Sequence, residues 1–180
     1  MFNSESAVGC KVVSHQLNVR IRRNAKVVLY PFEEYFQGFE AVEAVRRLFG
    51  EETEDVLTKL KVEFNSGRGY MGVSSEDGHL RVSAYYLNNG DLTDIYLDII
   101  HELVHVKQFR DGRELRDRNF SYVERPTEIE AFRYAVAEAR HLGLNDKQLL
   151  NYLRTERMSD EILYRLAKAV NVPVDEPDAT

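Results

Sequence analysis

The stretch Asp91-Leu-Thr-Asp-Ile-Tyr-Leu-Asp-Ile-Ile-His101-Glu-Leu-Val-His105-Val106 decides the fold of this chain. Its apolar residues recur at steps of three and four, which is the spacing of a helix stripe. Further apolar residues widen the stripe, so the segment predicts a helix that is largely buried. Asp91 or Thr93 can cap the start of this helix, because both side chains accept hydrogen bonds from free backbone N–H groups.

One face of the predicted helix is polar and carries two histidines. Residues four apart lie about one turn apart, so His101 and His105 direct two imidazoles to the same place, and Glu102 falls beside them. A zinc hydrolase needs this set: two nitrogen ligands, and a carboxylate that takes a proton from the activated water. The alternative is an ordinary helix with two surface histidines. A polar row on a buried helix needs partners or a metal, which favours the metal site.

Length and composition indicate one soluble domain. The 180 residues are 43% hydrophobic and 30% charged, and we expect residues 1–180 to form a single domain. No apolar run approaches the ~20 residues of a membrane-spanning helix, and no basic region followed by an apolar one begins the chain. The lone Cys10 cannot form an internal disulfide, which fits a reducing compartment. We therefore expect a cytoplasmic location without a membrane partner.

The charge pattern argues against a nucleic-acid partner. The formal net charge is −6, and the short basic stretch Arg20-Ile-Arg-Arg alternates with apolar residues, as on a strand with one solvated face. Phosphate binding relies on clustered Lys and Arg. We therefore expect no nucleic acid among the partners.

The first half of the chain predicts strands with two intervening helices. Residues 10–30 alternate apolar and polar, which predicts one or two strands. A helix with an aromatic stripe is predicted from Pro31 to Gly50, followed by a short acidic helix over residues 51–60. Further along, Glu76-Asp-Gly-His predicts a hairpin turn between Met71-Gly-Val and a strand over residues 80–87.

The sequence of the second half of the chain predicts three helices after the one that carries His101 and His105. Pro126 precedes a helix that runs to about Leu142, with Thr127 as cap and Glu130 as capping-box partner. Two more helices are predicted to begin at Asn145 and Ser159.

The resulting fold class is α+β. A small, mostly antiparallel sheet precedes the active-site helix within about residues 1–110, and a helical part follows over about residues 126–170. We expect the acidic tail, residues 171–180, to be loose.

A catalytic zinc site usually takes three protein ligands, so a third must come from outside the motif. The candidates are acidic residues and one histidine: Glu128, Glu130, Glu124, His141 and Asp98. Asp98 lies one turn before His101, and one continuous helix rarely offers three ligands to one ion. We expect Asp98 to accept a hydrogen bond from a histidine N–H instead. His141, at a helix end, is more typical of a surface residue.

Glu128 and Glu130 lie on nearly opposite helix faces, so they cannot both be ligands of one ion. Glu130 has a role available in the capping box. Glu128 shares its face with Ala131 and Phe132, which we expect to pack inward. We favour Glu128 as the third ligand, with Glu130 as the alternative.

Taken together, His101-Glu-Leu-Val-His105 and Pro126-Thr-Glu-Ile-Glu-Ala131 resemble the gluzincin zinc metallopeptidases over roughly residues 80–140. In that family the third ligand is a Glu on a downstream helix, often in a Glu-x-x-Ala pattern, which residues 128–131 match. The resemblance implies a zincin-like fold and Zn²⁺ held by His101, His105 and Glu128.

Two further expectations come with the resemblance. Many gluzincins place an Asp four residues after the ligand Glu to orient a histidine, but Phe132 stands there in this chain, so we expect Asp98 or Asp94 to substitute. The family also binds its substrate along an edge strand just upstream of the active-site helix. The stretch Arg81-Val-Ser-Ala-Tyr-Tyr-Leu-Asn-Asn is in the right position, although it is equally typical of an ordinary sheet strand.

The functional hypothesis is zinc-dependent hydrolysis of peptide bonds in a peptide or protein substrate, with Glu102 as general base. Four residues are candidates for stabilising the oxyanion: Tyr122, Arg125, Tyr134 and His79. The alternative is a catalytically inactive zincin-fold protein that binds a partner or regulates. A further hypothesis is that the tail from Asn171 blocks the cleft. The sequence indicates neither the oligomeric state nor the cleavage specificity.

Overall fold

The computed structural model describes residues 19–23, 29–67, 69–155 and 158–174. In this part of the chain the protein is a mixed α+β fold. The strands, in chain order, are β1 (Arg20–Ile21), β2 (Leu29–Pro31), β3 (Phe36–Gln37), β4 (Lys61–Asn65), β5 (Met71–Val73) and β6 (Leu80–Ser83). The helices are α1 (Phe32–Tyr35), α2 (Glu43–Phe49), α3 (Thr53–Lys59), α4 (Ala84–Asn89), α5 (Leu92–Arg110), α6 (Pro126–His141), α7 (Asp146–Leu153) and α8 (Asp160–Ala169).

Helix α5, which carries the two histidines, runs through the core. Asp91 caps its start by accepting hydrogen bonds from the backbone N–H groups of Thr93 and Asp94. The apolar stripe is buried, as its spacing predicts: Ile95, Ile99, Leu103 and Val106. Because the helix is enclosed on most sides, its histidines are buried as well. Neither α5 nor any other helix in the described ranges is long and apolar enough to cross a membrane.

Four strands form one sheet in the order β2-β4-β6-β5, and β1 pairs with β3 separately. The pairs β2-β4 and β5-β6 are antiparallel, whereas β4 and β6 are parallel. The prediction of a mostly antiparallel sheet is confirmed, with one parallel pair at the centre of the sheet. The parallel pair arises because β6 returns between β4 and β5 instead of adding outside β5. Of the predicted strand region 10–30, residues 10–18 and 24–28 lie outside the described residues.

The predicted hairpin around residues 76–79 is confirmed, and it joins β5 to β6. Gly78 in its turn has φ 76°, a conformation that favours glycine. A Cβ atom there would also lie 2.5 Å from the ring of Phe109 on α5. Glycine therefore permits both the turn and the close packing of the hairpin on α5.

The strand predicted over residues 80–87 is wrong beyond Ser83. β6 ends there, and α4 begins because the Ser83 side chain accepts a hydrogen bond from the N–H of Tyr86. β6 is also an interior strand, so the residues from Arg81 onward do not form a sheet edge. Within the described ranges, the edge on this side is β5.

The single helix predicted from Pro31 to Gly50 is also wrong. The structure has α1, then the short strand β3, a 3-10 turn over residues 39–41, and then α2. Gly38 has φ 90°, which interrupts the helix, and Phe36 pairs with Ile21 of β1. Strand pairing and burial of an aromatic cluster therefore outweigh the local helical pattern. The predicted acidic helix is confirmed as α3.

Helix α6 is confirmed, but its predicted capping box is wrong. Arg125 occupies the N-cap position without a side-chain cap, and Pro126 is the first helical residue, where a missing N–H costs nothing. The Thr127 hydroxyl donates to the carbonyl of Leu115 at 3.4 Å. Glu130 accepts a hydrogen bond from Gln108 on α5 instead.

The last two helices begin where the sequence predicts, at Asn145 with its capping box and at Ser159. The prediction of a loose tail is wrong for residues 171–174. Val172 is 2% exposed in the core, and Arg140 donates a hydrogen bond to the carbonyl of Asn171. The apolar side chain holds the chain against the helices, and residues 175–180 lie outside the described part.

Candidate metal centre

Three buried side chains from two helices converge at one point. His101 and His105 come from successive turns of α5, and Glu128 comes from the first turn of α6, which packs against α5. The Nε2 atoms of the two histidines are 3.0 Å apart, and each lies 3.3 Å from Oε2 of Glu128. All three residues are 5–7% exposed. The structure thus brings together the three residues that the sequence favours as ligands.

Gln108, which the sequence analysis missed, fixes the orientation of His105. Its amide nitrogen donates to the carbonyl of Thr127 at 3.0 Å and to Glu130 at 2.9 Å. These donations assign the amide, so its oxygen is the atom 2.7 Å from Nδ1 of His105 and accepts a hydrogen bond from it. His105 therefore carries a proton on Nδ1, and its Nε2 offers a lone pair towards the other two residues.

The group that faces this lone pair is electron-rich. Burial alone would raise the pKa of Glu128, but its contacts with the imidazoles of His101 and His105 outweigh burial and lower the pKa to about 2, so Glu128 is an anion. One ligand atom from each of the three residues lies within 4.8 Å of the others. Acceptor atoms this close need a cation among them, either a proton or a metal ion.

The distances and the donor types fit zinc. In a tetrahedral zinc site with bonds of about 2.0–2.1 Å, neighbouring ligand atoms lie about 3.3 Å apart. The separations of 3.0, 3.3 and 3.3 Å match this value. Two imidazoles and one carboxylate also form a donor set typical of catalytic zinc. His101, His105 and Glu128 could therefore hold a metal ion without rearrangement of the helices.

Glu102 lies beside the three residues as a buried carboxyl group with an unused oxygen. It is 7% exposed, and its Oε2 has no hydrogen-bond partner within the described ranges. Burial raises the pKa of Glu102 to about 8, and the charges of Glu128 and Asp98 add to this effect. A cation at the site would favour the ionised form. An unpaired buried carboxyl is costly for a fold and is typical of a reactive group.

His101 is held by packing. Its Nδ1 has no hydrogen-bond partner among the residues described. The ring of Phe132 packs on it, with ring centroids 4.4 Å apart and an angle of 64°. Burial lowers the pKa of His101, which favours the neutral imidazole that a metal requires. Phe132 thus supplies contact at the position where gluzincins often have an Asp.

The expectation that Asp98 or Asp94 orients a histidine is wrong. Asp98 accepts hydrogen bonds from the hydroxyl groups of Tyr86 at 2.7 Å and Tyr152 at 3.1 Å. In the part of the chain that the structure covers, neither aspartate bonds to a histidine. The Asp98 side chain turns towards α4 and α7, because these helices present tyrosine hydroxyls to it.

The other candidate ligands lie elsewhere. Glu130 bonds to Gln108 and forms an ion pair with Arg113. Glu124 pairs with Arg165. His141 is an exposed residue at the end of α6.

Two cavities meet at this site and share four lining residues: Met71, His101, Glu102 and Tyr122. The first, of about 200 Å³, runs beside β5 and has Arg116 and Arg125 in its wall. The second, of about 240 Å³, extends along α5 to Asp98 and Asp94. Glu102 therefore lies where a continuous cleft passes the three ligand residues.

Of the four candidates for stabilising an oxyanion, Tyr122 and Arg125 line the cleft beside Glu128. Tyr122 is 44% exposed as a residue, but desolvation on its cleft side raises the pKa of the phenol, and the charges of Glu128 and Glu102 raise it further, so it keeps its proton and can donate a hydrogen bond. His79 instead bonds to Asp77 and Glu63. Tyr134 packs against the core and lines neither cavity.

The edge of β5 that has no strand partner among the described residues runs along the cleft. The backbone N–H of Ser83 donates to the carbonyl of Tyr70, and the backbone N–H of Ser74 donates to the carbonyl of His79. Hydrogen-bonded and non-hydrogen-bonded residue pairs therefore alternate between β5 and β6. In that alternation the backbone groups of Met71 and Val73 point away from β6. All three residues of β5 line the cavity that contains the ligand residues.

Comparisons with known proteins identify no relative of this chain. No protein-family model, no curated protein and no solved structure matches this chain significantly. The resemblance to gluzincins therefore rests on the two sequence motifs and on the cluster they form.

Proposed function

We propose that this protein is a zinc-dependent peptidase with a zincin-like fold. The proposal rests on one observation above all: three buried acceptor atoms from His101, His105 and Glu128 converge, and the unpaired carboxyl of Glu102 lies next to them. A structural cluster would have no need for the fourth group. A hydrolase needs it as a base.

In the proposed reaction, each residue of the site has a separate role. When bound, zinc supplies Lewis-acid chemistry, making water more acidic and polarising a carbonyl. Glu102 accepts the proton of the attacking water and passes it to the leaving amine. Tyr122 donates a hydrogen bond to the carbonyl oxygen as negative charge develops on it. We expect Tyr122→Phe to lower cleavage while zinc stays bound; unchanged cleavage would exclude this role.

The edge strand supports a polypeptide substrate. An extended peptide can pair with the outward backbone groups of Met71 and Val73, and this pairing aligns it along the cleft that contains Glu102. The recognition is independent of side chains, so it suits peptides of varied sequence. In this proposal β5 takes the edge-strand role for which residues 81–89 were one candidate, since β6 is an interior strand.

The first experiment separates metal binding from catalysis. We expect the purified protein to contain about one zinc per chain by elemental analysis and to cleave a quenched-fluorescent peptide mixture. Glu102→Gln should retain zinc but lose about 10²–10⁴-fold in cleavage rate, because only the proton acceptor is removed. Glu138→Gln, on α6 and outside both cavities, is the control for losing a buried carboxylate. Protein that binds no zinc contradicts the proposal, and zinc without any cleavage favours an inactive binding or regulatory protein.

The second experiment identifies the third ligand with a matched pair on one helix. Glu128→Gln should weaken zinc binding by at least about 100-fold, more than the 10–100-fold loss typical of an outer partner. Glu130→Gln should weaken it by less than about tenfold, since Glu130 contacts Gln108 and not the histidines. Competition with a fluorescent chelator measures both. The reverse order of effects would assign the ligand role to Glu130.

A further inference from the structure

The polar row of α5 continues beyond the metal ligands, and that extension lines a cavity of its own. Asp94 and Asp98 precede His101 at steps of four and three residues, and both line the cavity of about 240 Å³ that reaches Glu102. Aromatic side chains form much of its wall: Tyr70, Tyr86, Tyr122 and Tyr152. The zinc chemistry proposed above uses neither aspartate.

The charge in this cavity is not compensated. Asp98 accepts hydrogen bonds from two tyrosine hydroxyls, and neither it nor Asp94 has an ion-pair partner within the described part of the chain. Burial raises the pKa of Asp98 to about 6, so it is mostly ionised at neutral pH. Arg154 also lines the cavity, but its guanidinium bonds to Asp160 at 2.7 Å.

The same cavity also reaches a buried polar side chain that lacks a hydrogen-bond partner among the described residues. Glu102, which is 7% exposed and has an unpartnered Oε2, lines the same cavity at its other end. A group that fills the cavity would therefore lie directly beside the reacting bond. The other cavity at the site has two arginines in its wall, Arg116 and Arg125, in addition to Glu128.

We propose that the Asp98 cavity is the specificity pocket of the peptidase and takes a lysine or arginine side chain next to the scissile bond. The inference rests on the proposed function. The carboxylate of Asp98 accepts a charge-assisted hydrogen bond from the cation, and the tyrosine rings favour a cation through their π faces. The arginines of the opposite cavity repel the same side chain, which fixes the direction of the peptide.

The test measures binding without turnover. Zinc-loaded Glu102→Gln protein is titrated into two labelled alanine peptides that differ in one central residue, lysine or norleucine, and fluorescence anisotropy gives both affinities. We expect the lysine peptide to bind at least about tenfold more tightly, since a charged pair in a partly buried pocket is worth this much or more. Adding Asp98→Asn should bring the two affinities together.

Two further variants serve as controls for this measurement. Asp55→Asn removes one negative charge from an exposed residue of α3 that pairs with Lys59, and it should leave the lysine preference intact. Asp94→Asn disturbs neither tyrosine contact and should reduce the preference, so it carries the test should Asp98→Asn fail to fold.

Equal affinity for the two peptides overturns the inference, as does a preference that survives both pocket substitutions. If the wild-type protein cleaves peptides but shows no preference for lysine or arginine, the proposed peptidase function stands and only the specificity pocket is contradicted. A lysine preference in binding, with no cleavage by the wild-type protein, would support the pocket and contradict the peptidase.

Discussion

The two histidines of the site lie one turn apart on one helix, yet the protein holds them in different ways. His105 donates its Nδ1–H to Gln108, which is 1% exposed and tied in turn to α6. His101 has no partner for Nδ1 in the described structure and is held by the ring of Phe132. One histidine is thus oriented by a polar network, and the other by packing.

The hydrogen bond to His105 and the ring packing on His101 therefore control different properties of the two imidazoles. A hydrogen bond fixes which nitrogen carries the proton, so it governs how well the imidazole binds a metal. Packing fixes the ring plane of His101 but gives Nδ1 no acceptor that would hold the proton there when Nε2 binds a metal. Metal affinity should therefore depend more on Gln108 than on Phe132, although both residues touch a ligand directly.

Gln108→Leu should give the largest effect. The substitution leaves Nδ1 of His105 without its partner inside the protein, and it removes one of the hydrogen bonds that the carbonyl of Thr127 accepts. We expect zinc affinity to fall by about 10–100-fold, and the free energy of unfolding of the metal-free protein to fall by about 1–3 kcal/mol. Chelator competition and urea denaturation measure the two quantities.

The matched control is Gln148→Leu, which removes a glutamine from the capping box of α7, away from the site. It should cost about 1 kcal/mol of stability and leave zinc affinity unchanged. Should Gln108→Leu destabilise the fold while zinc binds as tightly as before, the network would serve the packing of α5 on α6 alone.

Phe132→Leu should have a smaller effect on the metal. Leucine keeps the apolar contact with His101 but loses the edge of the ring, so the imidazole can tilt. We expect a loss of zinc affinity of about two- to fivefold, because cores tolerate a change of apolar shape better than the loss of a buried polar partner. An effect larger than that of Gln108→Leu, measured by the same competition, would reverse the comparison.

The contrast also explains which parts of the molecule can be predicted from sequence. The helix around His101 and His105 is a local pattern, since both the apolar stripe and the ligand spacing repeat with the turn of one helix. The role of Gln108 is not local. It depends on how α6 docks on α5, and the only signal in the sequence is a polar residue three positions after His105 on a buried helix.

The errors in the fold have the same origin. Residues 80–87 alternate as a strand would, but the Ser83 side chain caps a helix, and Gly90 ends it where a Cβ would meet the Tyr86 ring at 2.6 Å. The position of β6 between β4 and β5 depends on pairing between distant segments. Local periodicity thus identifies the elements that carry ligands, and non-local contacts decide which strand forms the edge.

Asp98→Asn should have the smallest effect on the metal, because Asp98 bonds to Tyr86 and Tyr152 and not to His101. We expect zinc affinity within about twofold of wild type, since no partner of a ligand is lost. A fall comparable to that of Gln108→Leu would show that Asp98 orients His101, and the two histidines would then be held alike.

The same variant should change how stability depends on pH. Burial raises the pKa of Asp98 to about 6 in the folded protein, above about 3.9 in the unfolded chain. Its contribution to stability is therefore full below about pH 4 and is lost as the pH rises through 6, by an amount on the order of 2–3 kcal/mol. Asparagine does not titrate, so the free energy of unfolding of the metal-free variant should fall less between pH 4 and 7 than that of wild type. Urea denaturation across this range measures the difference, and parallel curves would mean that Asp98 stays solvated enough to ionise freely.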